Sequence, residues 1–201
     1  MEIIHHRRNS IIELEQTDSR YGVEVDIRSN NKELIIQHEP FADGESFRDW
    51  LQSYKHGTLI LNVKEEGLEE KLLSILKQNG IDRFFFLDQS FPFLIRYANA
   101  SAGNSAVRVS EFESVETALK LQGTVNWVWV DCFNNFPLSK EQADKLKKAS
   151  FKLCIVSPEL QGRVSEQEIQ NMAETLLNRG ISPEAVCTKT PSLWEDTPLC
   201  N

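Results

Sequence analysis

At 201 residues the chain fits one domain, residues 1–201, with a single sizeable core. Hydrophobic residues make up 40% and charged residues 26%, which excludes a disordered or fibrous chain. The net charge of −8, with no basic run, argues against a nucleic-acid partner, because phosphate contacts need clustered cations.

No run reaches the roughly 20 apolar residues of a transmembrane segment. The first residues lack the apolar stretch of a signal peptide. Cys132, Cys154, Cys187 and Cys200 form no CxxC pair, and three of them sit inside apolar runs. A reduced, cytoplasmic protein is the expectation.

In chain order, apolar runs predict strands over 2–7 and 22–28. A short run over 34–37, reached across Ser29-Asn30-Asn31-Lys32, predicts a hairpin-like excursion. A helix over 45–54 leads to a strand over 58–64. Over 68–77, leucines and an isoleucine share one face and charges the other, a helix stopped at Asn79-Gly80. A strand over 83–88, a helix over 91–98, a strand over 106–110 and a helix over 113–121 follow. After a strand over 127–133, Ser139 caps the next helix. A strand over 152–158, a helix from Ser165 to Arg179-Gly180 and a strand over 185–190 complete the series.

Most strand runs are continuously apolar, as in a parallel sheet covered on both faces. Eight strands alternating with helices predict an α/β fold, a small (β/α)8 TIM barrel. The alternative is an open doubly wound sheet. Neither GxGxxG nor a P-loop follows the first strand, which weakens a nucleotide-binding version of it.

In such a barrel, function gathers where strands end. Glu24-Val25-Asp26 is the sharpest signal there. Residues two apart on a strand share a face, so both carboxylates project together. They repel unless a proton or cation intervenes, and a hard divalent ion with oxygen ligands resolves the conflict. The competing reading bonds the pair to Lys64 or Arg7. His6 and His38 can exchange protons near neutral pH and so serve as acid and base. Arg7, Lys64, Arg108 and Lys189 offer positive charge to a phosphate, or else inter-strand salt bridges. Trp127 and Trp129 alternate on one strand face and either stack on a sugar or fill the core.

His6-Arg7, Glu24-Val25-Asp26 and His38 followed by an acid resemble the glycerophosphodiester phosphodiesterases. Their wider superfamily includes phosphatidylinositol-specific phospholipases C and sphingomyelinase D toxins. That family's pattern is His-Arg, Glu-x-Asp and His-Asp on a (β/α)8 barrel. The resemblance implies His6 and His38 as acid and base and Glu24 and Asp26 as ligands of Mg2+ or Ca2+. It implies Arg7 and Lys64 as phosphate holders, with Asn9 assisting. Three departures stand out. Asn9-Ser10 follows His6-Arg7 at once, His38 precedes Glu39 rather than Asp, and Asn62-Val63-Lys64 replaces a usual Glu-x-Lys. Asn62 can ligate a cation through its amide oxygen but brings no charge.

The leading reading is a metal-dependent phosphodiesterase acting on a small phosphodiester, with no membrane-docking segment evident. The alternative is a barrel that has lost catalysis and binds a phosphorylated sugar or a partner protein. A different metal hydrolase would need a His-x-His near the first strand, and His5-His6 are adjacent.

Overall fold

The structure, a computed structural model, describes residues 1–200. The chain begins with β1 (Glu2–His5), α1 (Ile11–Glu15), β2 (Gly22–Asn30), β3 (Glu33–Ile36), β4 (Glu45–Ser46) and α2 (Phe47–Gln52). Next come β5 (Leu59–Val63), α3 (Glu69–Gln78), β6 (Phe84–Leu87) and α4 (Phe91–Tyr97). Then follow β7 (Ala106–Val109), α5 (Val115–Leu119), β8 (Trp127–Val130), α6 (Lys140–Lys148) and β9 (Lys152–Val156). A 3-10 turn (Pro158–Gln161), α7 (Glu166–Asn178), β10 (Ala185–Thr188) and α8 (Pro191–Glu195) end the series. By contact density the chain forms two compact units, His6–Ser105 and a second made of Met1–His5 with the residues from Ala106 onward.

In the first unit β2 pairs parallel with β5, and β5 with β6. The two-residue period of the strands decides everything else there. Val23, Val25 and Ile27 share a core with Leu59, Leu61, Val63, Phe84 and Phe86, covered by Phe47 and Trp50 of α2 and Leu72, Ile75 and Leu76 of α3. Each such side chain, fully buried, stabilises by about 1.5–3 kcal/mol. That packing fixes the parity of β2, and so sends Glu24 and Asp26 to the opposite face. Asp26 lies in register with Asn62.

The excursion is a true hairpin. β2 runs on to Asn30 and pairs antiparallel with β3, Ile27 opposite Ile36 and Asn30 opposite Glu33. Its two-residue turn places Asn31 at φ 56°, a conformation Asn tolerates. β3 in turn pairs with Glu45 and Ser46, so those residues extend as β4, and α2 starts later than the sequence suggests. The Ser46 side chain caps α2 by accepting the Asp49 N–H.

In the second unit five strands run parallel in the order β1-β10-β9-β8-β7. Trp127 and Trp129 are buried, which favours the core reading, and Lys152 lies 5.3 Å from the Trp127 ring centre. Each predicted strand run contains a parallel strand, with the C-terminal ends one to three residues shorter than predicted except in β2. Ser139 caps α6 with a full capping box, whereas Ser165 stands at the start of α7 without a side-chain cap bond. The five-residue helices α1 and α8 lie outside the predicted series, although Ser10 and Glu13 form a capping box. Among the described residues no helix is long and apolar enough to cross a membrane.

Candidate active site on the β2–β5 face

Glu24 and Asp26 are both fully buried. Three segments converge on them. The chain leaving β1 turns sharply at Arg7, whose φ is 52°, and the Arg8 N–H donates to the Glu24 carbonyl. That turn aims the Arg7 N–H at Glu24 Oε2, 2.8 Å away, and sets His6 Nε2 3.6 Å from the same oxygen. The Asn9 amide clamps Asp26 from two sides: its nitrogen donates to Oδ2 at 2.8 Å, and its oxygen accepts the Asp26 N–H at 3.1 Å. Arg7 Nε lies 3.5 Å from Asp26 Oδ2.

Lys64, one residue beyond β5, places its ammonium 3.1 Å from Asp26 Oδ1 and 3.8 Å from Asp88. Asp88, at φ 59°, directly follows β6. Thus His6, Arg7, Asn9, Glu24, Asp26, Asn62 and Lys64 come together as the sequence predicts, and Asp88 joins them. Asp26 has two cations within ion-pair distance, Lys64 and Arg7. Glu24 has neither.

Burial, and then the neighbouring Asp26 carboxylate, push the Glu24 carboxyl up to about 7; the Arg7 N–H, the Asn62 side chain and Lys64 pull the other way. Three buried acceptors on this face, Glu24 Oε1, Asp26 Oδ1 and Asn62 Oδ1, accept no hydrogen bond, although the Lys64 ammonium stands 3.1 Å from the second. A buried acceptor left unsatisfied costs about 1–3 kcal/mol, so the group invites a donor or a cation. Among the described residues no three His, Cys, Asp or Glu side chains gather into a metal-ligating cluster. The donor set that fits a hard cation is therefore two carboxylates and the Asn62 amide, all oxygen.

His38 follows β3, beside the site strand: the Gln37 N–H donates to the Asp26 carbonyl. Its Nδ1 sits 2.6 Å from Glu39 Oε1, a pairing that orients the ring. Arg28 was not singled out by the sequence reading. Its guanidinium donates to the His38 carbonyl at 2.9 and 3.1 Å and to the Lys64 carbonyl at 3.4 Å, tying the two loops together. The signal was available, since Arg28 has the same parity as Glu24 and Asp26 on β2.

Arg108 and Lys189 lie in the second unit. Arg108 Nη1 is 2.6 Å from Oδ2 of buried Asp131, whose Oδ1 accepts from the Cys132 N–H and the Gln161 amide. Lys189 is exposed, and its backbone N–H donates to Glu159.

Among solved structures the chain is similar to the tryptophan synthase of M. tuberculosis, with 11% identity, a TM-score of 0.56, and 92% of this chain and 81% of that chain covered. It is also similar to the glycerophosphodiester phosphodiesterase of Agrobacterium tumefaciens, at 10% identity and a TM-score of 0.65, covering 96% of this chain and 98% of that one. A glycerophosphoryl diester phosphodiesterase from Parabacteroides distasonis matches with 10% identity and a TM-score of 0.61, over 98% of this chain and 87% of that one. No protein-family model matches the chain, and no curated protein matches it in sequence. The fold is thus an α/β barrel of the (β/α)8 class. Within that class it has the fold of the glycerophosphodiester phosphodiesterases, the family its motifs resemble.

Proposed function

We propose that the chain is a phosphodiesterase dependent on Mg2+ or Ca2+, acting on a small glycerophosphodiester-like substrate. The observation that carries the reading is the buried Glu24–Asp26 pair, ringed by His6, Arg7, Asn9 and Lys64, with Glu24 Oε1 and Asn62 Oδ1 unfilled. Glu24, Asp26 and Asn62 would hold the divalent ion, which supplies Lewis-acid stabilisation of a phosphate oxygen. Arg7 and Lys64 hold the phosphate and offset charge growing on its oxygens, and Asn9 fixes Asp26 in place. One imidazole of His6 and His38 takes the proton of the attacking hydroxyl, and the other gives one to the departing alkoxide. Glu39 orients His38 for this. Arg108, which pairs with Asp131, and Lys189 lie in the second unit and are given no role in this proposal. Cys132 and Cys154, buried and with thiols pushed well above their ordinary range by burial, suit a reducing cytoplasm.

The second reading is a metal-free module that binds a phosphorylated sugar or a partner protein. The ion pairs of Asp26 with Lys64 and Arg7 favour it, because they compensate that carboxylate without a cation.

The deciding experiment is a screen of phosphodiesters with and without Mg2+, Ca2+ and Mn2+, run beside thermal melts. Metal at 100 times its dissociation constant stabilises by about 2.7 kcal/mol, and Asp26→Asn should abolish both the shift and the turnover. No metal-dependent cleavage and no shift at millimolar metal would leave the binding module.

A further inference from the structure

The loop between β8 and α6 is fixed by side chains from outside it. Glu111 accepts the N–H groups of Phe133, Asn134 and Asn135 at 3.2, 2.7 and 2.7 Å. Arg163 Nη2 donates to the Cys132 carbonyl at 2.8 Å. Arg179 Nη1 donates to the carbonyls of Leu138 at 2.6 Å and Phe136 at 3.3 Å, with the guanidinium carbon 5.6 Å from the Phe136 ring centre. Loops ordinarily leave such groups to water, so a loop tied at both its N–H and its carbonyl groups is a preorganised wall.

Between that wall and α7 lies a cavity of about 300 Å3. Asn134 and Asn135 line it from the loop, Asn171 and Thr175 line it one turn apart on α7, and Arg163 and Arg179 complete the polar lining used below. Hydrogen-bond donors are in surplus there. Arg163 Nε is buried without a partner, at a cost of about 1–3 kcal/mol. Arg179 spends only Nη1 on the protein, which leaves Nε and Nη2 for a ligand. Glu168 is the one carboxylate in the lining, and Arg163 Nη1 already holds it at 3.0 Å. On a chain of net charge −8, two guanidiniums against one carboxylate make a local positive site.

A carboxylate needs only one guanidinium fork. Guanidiniums from two segments, the approach to α7 and its C-terminal end, suit a tetrahedral group that offers each its own oxygens. We propose that this cavity binds a phosphate group, either free phosphate or the monoester of a small alcohol. The asparagine amides and the Thr175 hydroxyl bond the outer oxygens or the alcohol's hydroxyls. The site lies wholly within the second unit and does not depend on the phosphodiesterase reading.

The test titrates the metal-free protein with sodium phosphate and with glycerol 3-phosphate, against sodium chloride at equal ionic strength. NMR reads the amides of Asn134, Asn135 and Asn171 and the Arg179 Nε–H, apart from any anion binding near Arg7 and Lys64. Saturable shifts at these groups with a phosphate probe, and none with chloride, are expected. Tighter binding of glycerol 3-phosphate assigns the site to a monoester, and equal or weaker binding assigns it to free phosphate. Asn171→Asp, which adds a charge at an exposed position, should weaken binding by about tenfold. Glu168→Gln, which removes the carboxylate of the lining, should tighten it by about threefold. No saturable shift with either probe, equal shifts with chloride, or an affinity that neither variant moves overturns the proposal.

Discussion

Both compact units bury carboxylates beside the C-terminal ends of parallel strands, and the two units treat them in opposite ways. In the second unit Glu159 accepts from the Thr188 hydroxyl at 2.6 Å, from the Lys189 N–H at 2.9 Å and from the Ser157 hydroxyl. The Trp194 indole N–H donates in turn to Ser157 at 2.8 Å. Asp131 has Arg108, Gln161 and the Cys132 N–H. Both oxygens of each carboxylate are satisfied. In the first unit Glu24 Oε1 and Asp26 Oδ1 accept no hydrogen bond, cations stand only beside Asp26, and burial pushes the Glu24 carboxyl up to about 7. A polar network that closes on itself rigidifies a fold; one left open at several buried oxygens is poised for something from outside. Under the proposed phosphodiesterase reading, that difference gives the second cluster a structural part and the first a chemical one.

The largest expected effects break the comparison on the chemical side. His6→Ala and His38→Ala should each lower phosphodiester turnover by about 10²–10⁴-fold, the usual range for general acid–base groups. The double variant should be little worse than either single one, because paired groups are strongly non-additive. Metal binding, read by calorimetry, should survive in all three. Turnover near the parental rate in His38→Ala would remove the two-histidine mechanism.

On the structural side, Asp131→Ala removes the buried carboxylate beside Arg108 and leaves it the more distant Glu113, 4.0 Å away. Breaking a buried pair by removing one partner costs about 3–5 kcal/mol; with Arg108 partly open to water, the lower end is expected. Urea denaturation measures it. A loss below 1 kcal/mol would mean that the second cluster is not the structural one.

The two clusters should also diverge with pH. Glu24 binds its proton more tightly in the folded state than in the unfolded one, so folding is favoured while it stays protonated. Its contribution is complete below the ordinary value of 4.5 and is lost as pH rises through about 7. In the metal-free protein this amounts to about 3 kcal/mol lost by pH 8. Glu24→Gln, which cannot ionise, should therefore be the more stable protein at pH 8, with the gap closing toward pH 4.5. A gap that does not vary with pH would show that Glu24 titrates normally.

Placement was legible in the sequence, and satisfaction was not. The period of two put Glu24 and Asp26 on one face, and the apolar parity of Val23, Val25 and Ile27 said which face. The hairpin was readable from Asn30-Asn31-Lys32 between two apolar runs. Asp131, Glu159 and Arg108 stood at strand ends just as Glu24 did, and nothing in their spacing showed that their oxygens were already bonded. The Asn9 clamp on Asp26 and the Arg28 grip on two carbonyls join segments 10 to 36 residues apart, through side-chain geometry that local patterns do not encode.

The smallest effect sharpens the comparison most, because it converts the open cluster toward the closed kind. Asn62 lies opposite Asp26 in the β2–β5 register, with its Oδ1 buried and unbonded. Asn62→Asp would put a third carboxylate on that face. Without metal the added charge should repel Glu24 and Asp26, raise the Glu24 carboxyl further and lower the melting temperature at pH 8. With Mg2+ or Ca2+ present the sign should reverse, since a charged oxygen replaces a neutral one in the same donor set. A gain of about tenfold in affinity corresponds to roughly 1.4 kcal/mol. Titration calorimetry at pH 8 reads it directly, and melts with and without metal should cross over between the two proteins. If Asn62→Asp lowers stability in both conditions and binds the cation no tighter, Asn62 leaves the donor set, and Glu24 with Asp26 must act without it.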